Sequence, residues 1–129
     1  MNGTTIVGVA RPTGFIAALA LLAFSVFAQP APTELAGDWQ GALNANGTQL
    51  RLVFHVSVAA DGKLAATIDS LDQGANGIPV QSVTVDGSSV RFEVTVIGGG
   101  YDATLVDKNK MTGKWRQGGM ELPLELTRK

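Results

Sequence analysis

The chain has a single histidine, His55, and no cysteine, so acid–base, thiolate or transition-metal chemistry would have to start from one imidazole. A catalytic histidine needs a nucleophile and an orienting group within hydrogen-bond reach. Alternation along TQLRLVFHVSV puts His55 on the polar side of a strand beside Arg51 and Ser57, where it reads as a surface residue. One histidine without cysteine is also a poor transition-metal set. No serine lies in a G-x-S-x-G turn or has lysine three residues on, so the two common serine-hydrolase signatures are missing. Asp69, Asp72, Gln73 and Asn76 share one segment, but they lack the alternating ligands and distal glutamate of an EF-hand calcium loop. Bonding of their side chains to nearby backbone accounts for them. Gly98-Gly99-Gly100 is not followed by a helix whose N-terminus could hold phosphate. These residue types imply no metal, no cofactor and no catalytic residues: not an enzyme.

The aromatic residues are the remaining candidates. Trp39, Phe54, Phe92, Tyr101 and Trp115 all fall on one alternating face. Five rings on that face can line a site for a small apolar ligand, or they can simply fill a core, since each buries a large area. In a domain of this size the core reading carries more weight, because that burial must offset chain entropy.

The elements that position these residues are strands. After residue 34, eight segments alternate apolar and polar side chains, the period of a half-buried strand. The apolar face runs through Trp39, Gly41 and Leu43, then Leu50, Leu52, Phe54, Val56 and Val58, then Leu64, Ala66 and Ile68. A fourth segment holds Ile78, Val80, Val83 and Val85, with a slip of phase at Gln81 and Ser82 of the kind a β-bulge makes. Val90 to Val96, Tyr101 to Leu105, Met111 to Trp115 and Met120 to Leu126 complete the series. Asn46-Gly47, Asp61-Gly62, Asp86-Gly87, Lys108-Asn109 and Gly118-Gly119 are two-residue hairpin signals. Residues 70–77 and the 98–100 glycines make longer connections.

A meander of this kind predicts an all-β fold: a single eight-stranded antiparallel up-and-down barrel, lipocalin-like, with a β-sandwich as the alternative. A barrel removes exposed edges, and at eight strands its interior holds side chains or one small ligand.

The first 28 residues differ from the rest. Arg11 is their only charge and precedes the apolar run FIAALALLAFSVF, the layout of a secretory signal peptide cleaved after Ala28. The run is short for a membrane span, which needs about 20 residues. The expected organisation is a signal peptide at 1–28, a disordered proline-rich lead-in at 29–34 and a β-barrel domain at 35–129. The product would be secreted or periplasmic, with no membrane attachment after cleavage. Removing Arg11 from the 10 Lys and Arg, against 11 Asp and Glu, leaves a net charge of −2. Without a basic block there is no footprint for nucleic acid.

Several motifs together carry a family likeness: Gly37-Asp38-Trp39-Gln40-Gly41, the strand Leu50 to His55, Asp69-Ser70-Leu71-Asp72-Gln73-Gly74, Gly77-Ile78-Pro79-Val80, and Gly113 to Gly119. From about Leu35 to Arg128 the chain resembles the small N-terminal β-domain that precedes the catalytic domain in secreted bacterial α/β-hydrolases, and similar segments stand beside some other serine hydrolases. In such proteins the catalytic groups lie in the following domain, so none transfers to this chain. The resemblance implies a non-enzymatic accessory or interaction domain, free-standing or split from a hydrolase, with a secreted hydrolase domain as its partner. The partner surface would lie on Asp69, Asp72, Gln73, Gly74 and Asn76, since binding residues concentrate on loops held by a rigid scaffold. The alternative is a lipocalin-like carrier holding a small apolar ligand among Trp39, Phe54, Phe92, Tyr101 and Trp115.

Overall fold

The computed structural model describes residues 32–129. The expected signal peptide at 1–28 and the start of the expected lead-in therefore lie outside the described residues. Pro32–Leu35 form one short helical turn, α1, where the lead-in was expected to be disordered. Nine strands follow: β1 Gly37–Ala45, β2 Thr48–Val58, β3 Leu64–Ser70, β4 Ala75–Pro79, β5 Ser82–Asp86, β6 Ser89–Val94, β7 Gly99–Asp107, β8 Lys110–Gln117 and β9 Met120–Arg128. All pairings are antiparallel, in the order β4-β3-β2-β1-β9-β8-β7-β6-β5. The chain makes one curled sheet, a half-barrel, in which the first and last strands pair at the centre: Trp39 opposes Arg128 and Gln40 opposes Thr127.

The strand count differs from expectation at one place. The segment read as a bulged fourth strand is two strands, β4 and β5, at opposite ends of the strand order. The phase slip at Gln81 and Ser82 is where the chain leaves one edge and joins the other. Val80 N–H bonds to Ala66 O at 3.1 Å, and Gln81 N–H bonds to Glu93 O at 2.7 Å.

The apolar face is the one the alternation outlines. Trp39, Phe54, Ile68, Phe92, Tyr101, Met111 and Leu126 are all buried in it. Others lie open to solvent: Val96 is 63% and Met120 52% exposed. Val96 sits in a 3₁₀ turn, Thr95–Ile97, that ends the strand pattern before Gly98, and Met120 opens β9 at its hairpin, opposite Gln117. Val58 likewise reaches the strand end and is partly exposed. Conversely Val53, on the polar side of β2, is buried.

Turn chemistry explains the meander. At Asn46-Gly47 both φ angles are positive, 53° and 82°, and at Gly118-Gly119 they are 58° and 83°, as a two-residue hairpin matched to strand twist requires. Lys108-Asn109 is also a two-residue turn, with Asn109 N–H bonded to Asp107 Oδ1 at 2.8 Å. The Asp61-Gly62 signal sits inside a longer connection, residues 59–63, closed by Ala59 N–H to Lys63 O at 2.7 Å. Beyond Asp86 the turn is Gly87-Ser88, one residue later than expected.

Other glycines let strands come close. A Cβ on Gly113 would collide with Asp102 O, one on Gly41 with Glu125 O and one on Gly99 with Arg116 O. These positions mark the sharp curl of the sheet between β7 and β8 and between β1 and β9, where a side chain would force the backbones apart.

Candidate functional site

The five aromatic candidates fall into two groups. Phe54 of β2 is the hub of one, with ring centroids 5.1 Å from Phe92, 5.6 Å from Tyr101 and 6.3 Å from Trp115, all edge-on. Phe92 stacks on Tyr101 at 5.9 Å. Tyr101 O–H donates to Leu124 O at 2.7 Å, and burial, followed by the nearby Glu125 charge, pushes its phenol well above the usual range. Trp39 stands apart from this cluster. Its Nε1–H donates to Leu35 O at 3.0 Å, and the Arg128 guanidinium lies 4.3 Å above its ring. Arg128 also donates to the carbonyls of Ala36 and Lys108 at 2.8 and 2.9 Å and to that of Glu34. One side chain thus ties the N-terminal entry, the β7–β8 turn and the bottom of the core together.

The expected partner loop is more structured than its composition implies. Residues 71–73 form a 3₁₀ turn ended by Gly74 at φ 65°, and β4 begins at Ala75. Its acidic residues are engaged by the sheet. Asp72 takes Arg51 Nη2 at 2.8 Å and the Arg51 backbone N–H at 2.7 Å, and this partner holds its carboxyl below the usual range. Asp69 accepts Gly77 N–H at 2.8 Å and lies 2.8 Å from His55 Nε2; those contacts, the Gly77 bond first, lower its pKa. Gln73 Oε1 accepts Ser70 Oγ–H at 2.7 Å, and Ser70 is itself buried. Gly74 and Asn76 are exposed, as is Leu71 beside them.

His55 is not the lone surface residue its strand position suggests. Its Nδ1 lies 2.8 Å from Asp38 Oδ1 while Nε2 faces Asp69, so the ring is bracketed by carboxylates from β1 and β3. A neutral imidazole carries one N–H and would set a lone pair against one of those oxygens. Only the imidazolium donates to both. The bonds to Asp69 and then Asp38 raise its pKa, with partial burial opposing. Both ring nitrogens are thereby occupied, and neither is open to a substrate proton in this arrangement. A second ionic group covers β6 to β8: Asp102 accepts Arg116 Nε–H at 2.7 Å and Arg91 Nε–H at 2.9 Å, and Glu93 takes Arg116 Nη2 at 3.1 Å. Burial works against the Asp102 anion, yet its bonds to Arg116 and Arg91 win and lower its pKa.

The feature that alternation alone does not disclose is a cleft at the end of the sheet where the β1–β2 and β8–β9 hairpins lie. It measures about 360 Å³ and is walled by Leu43, Leu50, Trp115, Gln117 and Leu122, with Met120 on its rim. A narrower recess of about 100 Å³ shares Leu43, Leu50, Trp115 and Gln117 and runs on to Ser70, Gln73, Ile78 and Ile97. Trp115 is the one aromatic candidate that lines both. Leu43, Leu50, Ile78 and Leu122 are on the apolar face traced in the sequence; what alternation does not say is that an opening is left among them at this end. Among the described residues no group of three or more His, Cys, Asp or Glu side chains is arranged to hold a metal ion, and no helix is long and apolar enough to cross a membrane.

Fold and site together define a small antiparallel β protein with an aromatic core and an apolar opening at one end. Comparison with protein-family models, curated proteins and solved structures finds no match.

Proposed function

We propose that this chain is a secreted, non-enzymatic accessory domain that presents a pre-organised turn to a partner, with a secreted hydrolase the partner that its sequence likeness suggests. The observation that carries this reading is the 3₁₀ turn Leu71–Gln73, pinned by Arg51 and Ser70 and bordered by the Asp69–His55 pair. Its anchoring groups face the sheet while Leu71, Gly74 and Asn76 stay exposed. A surface already ordered before binding loses less conformational freedom when a partner arrives. The scaffold in this reading is a barrel; what supports it is the crossing at Val80 and Gln81, whose amides bond first to Ala66 of β3 and then to Glu93 of β6, the strands next to the two sheet edges. The test is to mix the purified protein with a hydrolase encoded beside its gene and follow sedimentation. A complex that Leu71→Asp weakens supports the reading. It is abandoned if no hydrolase neighbours the gene and none co-sediments.

A second reading, a carrier of a small apolar ligand, is favoured by the open cleft. The ligand would then sit against Trp115 at the end of the aromatic cluster, since Phe54, Phe92 and Tyr101 pack on one another. Native mass spectrometry of the protein as expressed tests for a retained molecule; mass for the bare chain alone counts against it.

A further inference from the structure

The cleft and recess are lined by two carboxamides set among aliphatic walls. The indole Nε1–H of Trp115 is a donor only, so the atom of Gln117 that it meets at 3.1 Å must be the oxygen. Gln73 Oε1 accepts the Ser70 hydroxyl at 2.7 Å. Each carboxamide oxygen thus already accepts one bond inside the protein, while among the described residues no acceptor meets either NH2; both glutamines are exposed. Gln117 lines the cleft and the recess, and Gln73 lines the recess. Leu43, Leu50, Ile78, Ile97 and Leu122 make the walls aliphatic, and the other polar side chains of the lining, Ser70 and Trp115, are bonded to the two glutamines.

We propose that this end of the sheet binds a small molecule with an aliphatic body and a hydrogen-bond-accepting head, a carboxylate or an ester carbonyl, whose oxygens take the NH2 groups of Gln73 and Gln117. The proposal rests on the carrier reading and adds the chemistry of the ligand. Cleft volume suits it, since small-molecule sites begin at roughly 300 Å³ and combine apolar walls with few placed polar groups. The selectivity follows from sign. Two unpaired NH2 groups favour an oxygen-rich head, and a quaternary ammonium has no oxygen to receive them.

The test uses the full secreted chain and three probes below their micelle concentrations: sodium decanoate, methyl decanoate and decyltrimethylammonium. Binding is read from the change in tryptophan emission, Trp115 being the one of the two tryptophans that lines the cleft, and from the side-chain NH2 resonances of Gln73 and Gln117 in a nitrogen-labelled sample. Saturable binding of decanoate or of methyl decanoate is expected, with both NH2 resonances moving; whichever binds tighter tells acid from ester. Decyltrimethylammonium should bind about tenfold more weakly or worse, the value of one hydrogen bond to a charged head. Gln117→Glu keeps the acceptor for Trp115 but replaces the donor by an anion, and should weaken decanoate by a similar factor. Gln73→Glu repeats that test through Ser70 if the first variant does not fold. Leu122→Trp, which fills the cleft, should abolish binding of all three. Equal affinity for the cationic probe overturns the head-group assignment and leaves the carrier reading standing. No saturable binding of any probe overturns both.

Discussion

At the scale of single residues, the side chain with most to lose from a change of pH is His55. Its raised pKa comes from Asp69 and Asp38 on either side, with Lys129 the further charge acting on Asp69. A group whose folded pKa is raised contributes stability that is complete below its unfolded value and disappears as pH climbs through the folded one. Asp69, Asp72 and Asp102 have lowered pKa values, so their contribution is present above the ordinary carboxylate range and is lost as pH falls through the folded values. The two trends place maximum stability between the ordinary carboxylate and imidazole ranges, about pH 4.5 to 6. Thermal unfolding should show a midpoint that declines as pH rises above the ordinary imidazole value, about 6.5. In His55→Gln that alkaline decline should vanish while the acid limb stays; an unchanged alkaline limb would mean that the bracketed ring adds no stability. Little of this was visible in the sequence. The alternation placed His55 on the outer face, but Asp38 and Asp69 lie 17 and 14 residues away, and only the register of β1 and β3 on β2 sets them beside it.

At the scale of elements, strand position and facing were largely legible because period two repeats over enough residues to average out exceptions. Trp39, Phe54, Phe92, Tyr101 and Trp115 are buried as their alternation implies. What failed were the ends: Val96 and Met120 continue the pattern past the point where the sheet has anything to cover them. The split of the fourth segment was present as a phase slip, but a slip reads equally as a bulge or as a change of edge. Strand glycines carry the curl. At Gly113 an added methyl would drive into Asp102 O and also crowd Ala103 Cα, and neither backbone atom can step aside without opening the β7–β8 ladder. Gly113→Ala should therefore cost about 3 kcal/mol, at the upper end of overpacking losses. Gly47→Ala meets no neighbouring atom and suffers only from its φ of 82°, so its cost should be about 1 kcal/mol. Urea unfolding of both variants gives the comparison, and equal losses would show that close approach at Gly113 is not what the glycine supplies.

At the scale of the whole molecule, the pairing of β1 with β9 ties the two ends of the described chain at the centre of the sheet, and the strands of lowest mutual support lie farthest from it. Lys129 N–H bonds to Asp38 O at 2.8 Å, and Arg128 spans α1, Trp39 and the β7–β8 turn, so β1, β9 and α1 come apart only together. By contrast β4 has five residues and β5 has five, each paired on one side only, and the crossing between them hangs on the Val80 and Gln81 amides. Regions with few buried contacts and short ladders open at lower free energy than the global transition. Amide exchange should accordingly be fastest in β4, β5 and the Val80–Gln81 crossing and slowest in β1, β8 and β9, by about a hundredfold or more if the edges open some 3 kcal/mol below the whole. Replacing Gln81 by proline removes one of the two crossing bonds and should speed exchange in β5 while leaving β1 and β9 protected. Uniform acceleration across all nine strands would instead make the crossing part of the central cooperative unit, and a barrel whose edges are joined as firmly as its middle.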